Sequence, residues 1–209
     1  MTVLKAIRWT AWAMVGVFGF MALAIGVGWF KVEVLPGPAR EVATGAPELG
    51  GAFALVNHRG EAVTEQDFRG KPTAYFFGFL HCPEICPTTL FEMTSRLAEL
   101  GPAADRLNVV FVTIDPERDT PERIAAYLES FDPRIVGLTG TPEEVADAAR
   151  TFGITYRKVP TEGGEYTMDH TASVLLFDED GRFATLIDYH DSPEAALGKL
   201  RRVVGAGDA

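Results

Sequence analysis

Apolar and polar positions divide this chain into two unequal parts. From Trp9 to Phe30 no charged side chain interrupts an apolar run. A helix rises about 1.5 Å per residue, so about 20 residues span a bilayer core of roughly 30 Å. Lys5 and Arg8 precede the run, and Trp9, Trp12, Trp29 and Phe30 lie near its ends, where aromatic rings suit the membrane interface. The pattern predicts a single transmembrane anchor over residues 1–31, with its N-terminus in the cytoplasm. A cleaved signal is the alternative, and Ala22-Leu23-Ala24 offers it small residues, but the apolar run continues past that point. Residues 32–50 are rich in Pro, Gly and Ala without a sustained period and read as a flexible tether.

Residues 51–209 read as one domain. Phe53 to Val56 and Glu61 to Val63, around the turn Asn57-His58-Arg59-Gly60, predict a hairpin. Pro72 to Leu80 and Leu107 to Ile114 are apolar runs that suit strands buried on both faces. Between them Leu90, Met93, Leu97 and Leu100 fall at helical spacing, from Pro87 to a stop at Gly101-Pro102. Thr120-Pro121, Thr141-Pro142 and Ser192-Pro193 each open a helix with a capping hydroxyl and a proline, to about Phe131, Phe152 and Val204. Ile135 to Leu138 is a short strand, and Ala172 to Phe177 with Phe183 to Asp188 a second hairpin. Tyr156 to Asp169, polar and with Gly163-Gly164, looks like an inserted loop or exposed hairpin. Alternating buried strands and helices predict an α/β sandwich with parallel central strands. The order, an N-terminal hairpin included, is that of a thioredoxin-like three-layer sandwich.

Composition narrows the function. The chain is 47% apolar and 23% charged, which excludes a disordered or fibrous protein. Its net charge is −10, and because residues 1–31 hold Lys5, Arg8, Lys31 and no acid, the remainder carries −13. A body that acidic is repelled by phosphate backbones, which argues against a nucleic-acid partner. The only cysteines, Cys82 and Cys86, are too close in sequence to staple a fold, so their spacing points to chemistry.

That chemistry sits where a buried strand meets a helix, in His81-Cys82-Pro83-Glu84-Ile85-Cys86-Pro87. Ligands of open α/β sheets bind beyond the carboxyl ends of the strands. Cys86 falls at or beside the helix cap, where free N–H groups and the dipole favour thiolate. Two such thiols on an exported domain can form a disulfide or clamp a soft metal. His170, after the polar loop and at the mouth of a predicted strand, is the natural third ligand. Thioredoxin-like oxidoreductases use C-x-x-C and a proline facing the thiols; here the spacing is C-x-x-x-C and that position reads Met168-Asp169-His170-Thr171. Two thiolates and an imidazole suit copper in either oxidation state, whereas zinc needs a fourth ligand.

GFLHCPEICP (78–87), TIDPERDTP (113–121) and DHTASVLLFDEDG (169–181), in that order, resemble the Sco/SenC family over roughly residues 45–205. The resemblance implies a thioredoxin-like fold, a copper site at Cys82, Cys86 and His170, and a membrane-anchored domain outside the cytoplasm. For a bacterial chain that means the inner membrane with the domain in the periplasm. It also implies a role in assembling the dinuclear copper centre of cytochrome c oxidase, whose copper-bearing subunit would be the partner. Another copper chaperone or a thiol reductant would be a further partner. Family members are thought either to insert copper or to reduce the target's cysteines.

The leading expectation is therefore a metallochaperone without turnover. The alternative is a thiol–disulfide reductase using Cys82 and Cys86. A peroxidase is disfavoured because no arginine adjoins the cysteines in sequence. Other candidates have plainer readings. His81 should point away from Cys82 by the strand's period of two. His58 and His190 are expected in solvent, Met93 and the run Tyr75-Phe76-Phe77 in the core, and Met168 is not expected to be a ligand. Asp115 and Asp119, around Pro116, form a turn and cap, or else a carboxylate supports the site from behind or meets the partner.

Overall fold

A computed structural model of the chain describes residues 49–206 together with Trp12. The predicted anchor, Trp12 apart, and nearly all of the tether lie outside the described residues. Among the described residues no helix is long and apolar enough to cross a membrane.

The elements run β1 (Ala54–Asn57), β2 (Ala62–Thr64), β3 (Thr73–Gly78), α1 (Ile85–Leu100), β4 (Asn108–Thr113), α2 (Pro121–Leu128), β5 (Ile135–Thr139), α3 (Pro142–Thr151), β6 (Tyr156–Pro160), β7 (Tyr166–His170), β8 (Val174–Phe177), β9 (Phe183–Ile187) and α4 (Pro193–Val203). Seven strands form one sheet in the order β2-β1-β5-β4-β3-β8-β9. β3, β4 and β5 are parallel, and β1 and β8 flank them antiparallel. This is the mixed α/β, thioredoxin-like arrangement expected.

β3 and β4 earn the centre by composition. Every residue of β3 is buried, as is every residue of β4 after Asn108. Side chains of β3 alternate between two aromatic clusters. Phe76 packs on Phe111, which meets Tyr127 of α2. Tyr75 and Phe77 pack on Phe152 at the end of α3. Helices therefore cover both faces, and each fully buried aromatic contributes about 1.5–3 kcal/mol. The hydroxyls of Thr120, Thr141 and Ser192 accept the backbone N–H three residues on, capping α2, α3 and α4, each cap being worth about 1 kcal/mol.

Two boundaries differ from expectation. α1 begins at Ile85, two residues before Pro87; a proline in the first turn forfeits no helical hydrogen bond. α2 stops at Leu128, and the chain turns through Phe131 before Asp132-Pro133, because the residue before a proline resists helical geometry. Of the two readings of the polar stretch from Tyr156, the structure has the hairpin, β6–β7, forming a separate two-stranded sheet.

Gly78 ends β3 against α1. A Cβ there would stand 2.8 Å from Cys86 Sγ and 3.0 Å from Phe111 Cε2. The glycine is what lets a sulfur lie against the strand. Gly78→Ala is expected to lower unfolding stability by about 1–3 kcal/mol through overpacking, measured by urea titration. An unchanged midpoint and slope would contradict this packing.

Candidate metal centre

The chain leaves β3, turns at Phe79 to Cys82 with Cys82 N–H donating to Phe79 O at 3.3 Å, and enters α1 at Ile85. Glu84 is the cap residue, but its side chain caps nothing. Cys82 takes that role instead: its sulfur accepts the N–H of Cys86 at 3.4 Å, as a cap oxygen normally would. Both cysteines are free; Cys82 is half-buried and Cys86 fully buried.

His170 arrives at the end of β7. Its Nε2 lies 3.7 Å from Cys86 Sγ. Nδ1 is 2.8 Å from the carbonyl oxygen of Thr171, so that nitrogen carries the proton it donates and Nε2 presents a lone pair. The ring stands edge-on to Phe79 at 5.8 Å between centroids. Two donors bound to one ion at about 2.3 Å (sulfur) and 2.0 Å (nitrogen) stand about 3.5–3.8 Å apart, which the Cys86–His170 separation matches. Among the described residues no group of three or more His, Cys, Asp and Glu side chains stands close enough together to hold a metal ion. Cys82 and His170 instead wall one open cleft of about 560 Å³.

The two thiols differ in acidity. Cys82 is pulled down to about 3, chiefly because the Cys86 thiol donates to it. Partial burial opposes that shift, and the N–H groups of Cys86 and Glu84 reinforce it. Cys86 is pushed up, first because it keeps the proton in that same bond and next because it is buried. The pair shares one proton, and Cys82 is the exposed thiolate.

Behind the cysteines, β4 ends in a polar network. Asp119 is fully buried; its Oδ2 accepts from Thr113 Oγ1 at 2.7 Å and from Leu80 N–H at 3.1 Å. Burial raises its carboxyl above the usual range, against those two bonds. The carboxylate of Asp115, also buried, is bound by Arg118 Nε and, at 2.8 Å, by Tyr166 Oη. Both aspartates thus support the site's surroundings, rather than forming only a turn and cap.

The structure brings together Cys82, Cys86 and His170. His81 is exposed, with Nε2 3.3 Å from Arg123. Met93 and Met168 are core residues, and His190 is exposed beside Asp188. One expectation is corrected: His58 is not in free solvent but half-buried, its Nδ1 accepting Gly137 N–H at 3.1 Å, because its hairpin turn packs against β5. Arg118 and Tyr166 do not stand out in the sequence. Their only signals were an arginine set between Asp115 and Asp119, and a tyrosine in phase with His170.

The sequence pattern of the SCO1/SenC family matches residues 41–205. The chain belongs to the SCO1/SenC family. It is 40% identical over 188 residues to the mitochondrial SCO1 homologue of Mus musculus, covering 88% of this chain and 65% of the relative. With the sco1 protein of Schizosaccharomyces pombe the identity is 37% over 166 residues, 78% of this chain and 62% of the relative. The chain thus spans somewhat under two thirds of these curated relatives. Among solved SCO1/SenC structures, copper-bound ScoI of Bradyrhizobium japonicum is 46% identical with a TM-score of 0.69, covering 74% of this chain and 99% of that one. Copper-bound yeast Sco1 is 33% identical with a TM-score of 0.71, covering 78% and 91%.

The thiol asymmetry predicts the order of alkylation. In the reduced, metal-free chain iodoacetamide should modify Cys82 first, at a rate nearly flat from pH 5 to 8. Cys86→Ala removes the main cause and should move the dependence up toward an ordinary thiol near about 8.5. A wild-type rate falling about tenfold per pH unit below pH 8 would contradict the assignment.

Proposed function

We propose that this chain binds copper through Cys82, Cys86 and His170 and delivers it during assembly of the dinuclear copper centre of cytochrome c oxidase. The observation that carries the reading is the approach of His170 Nε2, lone pair free, to the buried sulfur of Cys86. Two soft thiolates and an imidazole select copper over harder ions. Support also comes from family membership and from relatives solved with copper bound. The same reading makes residues 1–31 a membrane anchor, 32–50 a tether and 51–209 the copper-binding domain, held outside the cytoplasm beside the copper-bearing oxidase subunit.

Copper is cargo here, so the site has to release as well as bind. Loading displaces the proton that Cys86 keeps, so binding weakens as pH falls. Release proceeds by ligand exchange: a partner thiolate takes the ion from the half-exposed Cys82 while His170 and Cys86 let go in turn.

The exposed thiolate of Cys82 supports a second reading, thiol–disulfide exchange. Cys82 attacks a partner disulfide, forming a mixed disulfide and releasing one partner thiolate, which takes a proton. Cys86, losing its proton, then attacks Cys82 sulfur, releasing the second partner thiol and closing the Cys82–Cys86 disulfide. Two electrons pass to the partner, and His170 has no part in the bond changes.

Anaerobic titration of the reduced full-length chain with Cu(I) against a competing chelator separates the readings. One tight equivalent is expected, weakened about 10–100-fold or more in His170→Ala, while reduction of a model disulfide persists. Unchanged copper affinity in His170→Ala would overturn the three-donor site and leave thiol exchange as the reading.

A further inference from the structure

The cysteines and the histidine come from different pieces of the fold. Cys82 and Cys86 sit on the junction of β3 and α1, rigidly packed in the main body. His170 belongs to β6–β7, which shares no ladder with the seven-stranded sheet. A lone two-stranded hairpin is marginal by itself, so its seat on the body has to come from side chains. Strand alternation puts Tyr166, Met168 and His170 on one face of β7. Met168 fills the core, which fixes depth but, as a flexible apolar contact, gives little direction.

Direction comes from Tyr166. Its hydroxyl donates to Asp115 Oδ1 at 2.8 Å. Arg118 donates through Nε to the other oxygen of Asp115 and through Nη1 to the carbonyl oxygen of Tyr166 at 3.0 Å. The guanidinium lies 3.7 Å from the centre of the Tyr166 ring. Lys158, on β6, reaches toward the same ring at 4.7 Å and pairs with Glu117 at 2.7 Å. One buried carboxylate, one arginine fork and one tyrosine therefore tie strand and side chain of the hairpin to the loop after β4. That loop also carries Asp119, which holds Leu80 at the entrance to the cysteine turn. Both carboxylate oxygens of Asp115 are engaged, so it acts on the site through the hairpin rather than as a donor to an ion.

We propose that Tyr166, with Asp115 and Arg118, is the positioning device that holds His170 against the cysteine pair. The inference rests on the copper reading for its consequence, but the positioning itself is a property of the metal-free chain. Two readouts keep the two apart. In the reduced, metal-free full-length chain, the ring protons of His170 carry ring-current shifts from Phe79. Tyr166→Phe, which removes only the hydroxyl, should move them toward free-histidine values by NMR. Arg118→Lys, which keeps charge but loses the fork, should do the same. In Cu(I) competition, Tyr166→Phe should weaken binding about tenfold with His170 present, and less than about twofold in a His170→Ala background.

Unmoved His170 shifts in both variants would overturn the positioning role whatever copper does. So would an equal copper loss in both backgrounds, the mark of general destabilisation. A shift of the His170 resonances without any effect of His170→Ala on copper would uphold the positioning role and sink the three-donor reading.

Discussion

A fully buried sulfur beside a charged one is the constraint on which the rest of this structure depends. Cys86 has no solvent exposure, and an unpaired thiolate there would cost several kcal/mol. The fold answers from several sides. Gly78 clears the space on β3. Cys82 shares its proton bond, and the start of α1 gives Cys82 an N–H to accept. His170 brings a nitrogen lone pair from across the cleft. Without an ion, the pair keeps one proton and one charge, with the charge on the more exposed sulfur. A bound cation would let both sulfurs be thiolates, so redox state and metal load are coupled by the same burial.

The polar groups behind the site keep that arrangement from relaxing. Asp119 ties the cysteine turn to β4 through Leu80 and Thr113, and Thr139 Oγ1 in turn donates to the Asp119 carbonyl at 3.0 Å. Three parallel strands thus converge on one loop. Burial raises the Asp119 carboxyl above its usual range, against its hydrogen bonds from Thr113 and Leu80. The hairpin half of the site is joined to the same loop from the other side, so the distance between the proposed donors is set by groups that touch none of them.

Much of this was legible in the chain. Apolar runs at Pro72 to Leu80 and Leu107 to Ile114 could only be central strands, and hydroxyl–proline pairs marked three helix starts to the residue. Cys82, Cys86 and His170 stood out because soft donors at a strand–helix junction have few other uses. What stayed hidden was relational. Tyr156 to Asp169 is legible as a loop or an exposed hairpin, but its register, with Tyr156 opposite His170, follows only from the pairing of its two halves. α1 starts two residues earlier than Pro87 suggests, because a proline suits any position of a first turn. His58 looked like an ordinary turn residue, since its hydrogen bond is to β5, far along the chain. Arg118 and Tyr166 gain meaning only when β7 lies beside the loop after β4.

In the copper reading proposed here, two sulfurs from the β3–α1 junction and one imidazole from the hairpin hold a single copper ion. Copper K-edge X-ray absorption of the reduced, copper-loaded full-length chain tests it most directly. Two sulfur scatterers and one imidazole are expected in the first shell, with the imidazole signal lost in His170→Ala. A first shell with a single sulfur, or with no imidazole in the wild-type chain, would contradict it.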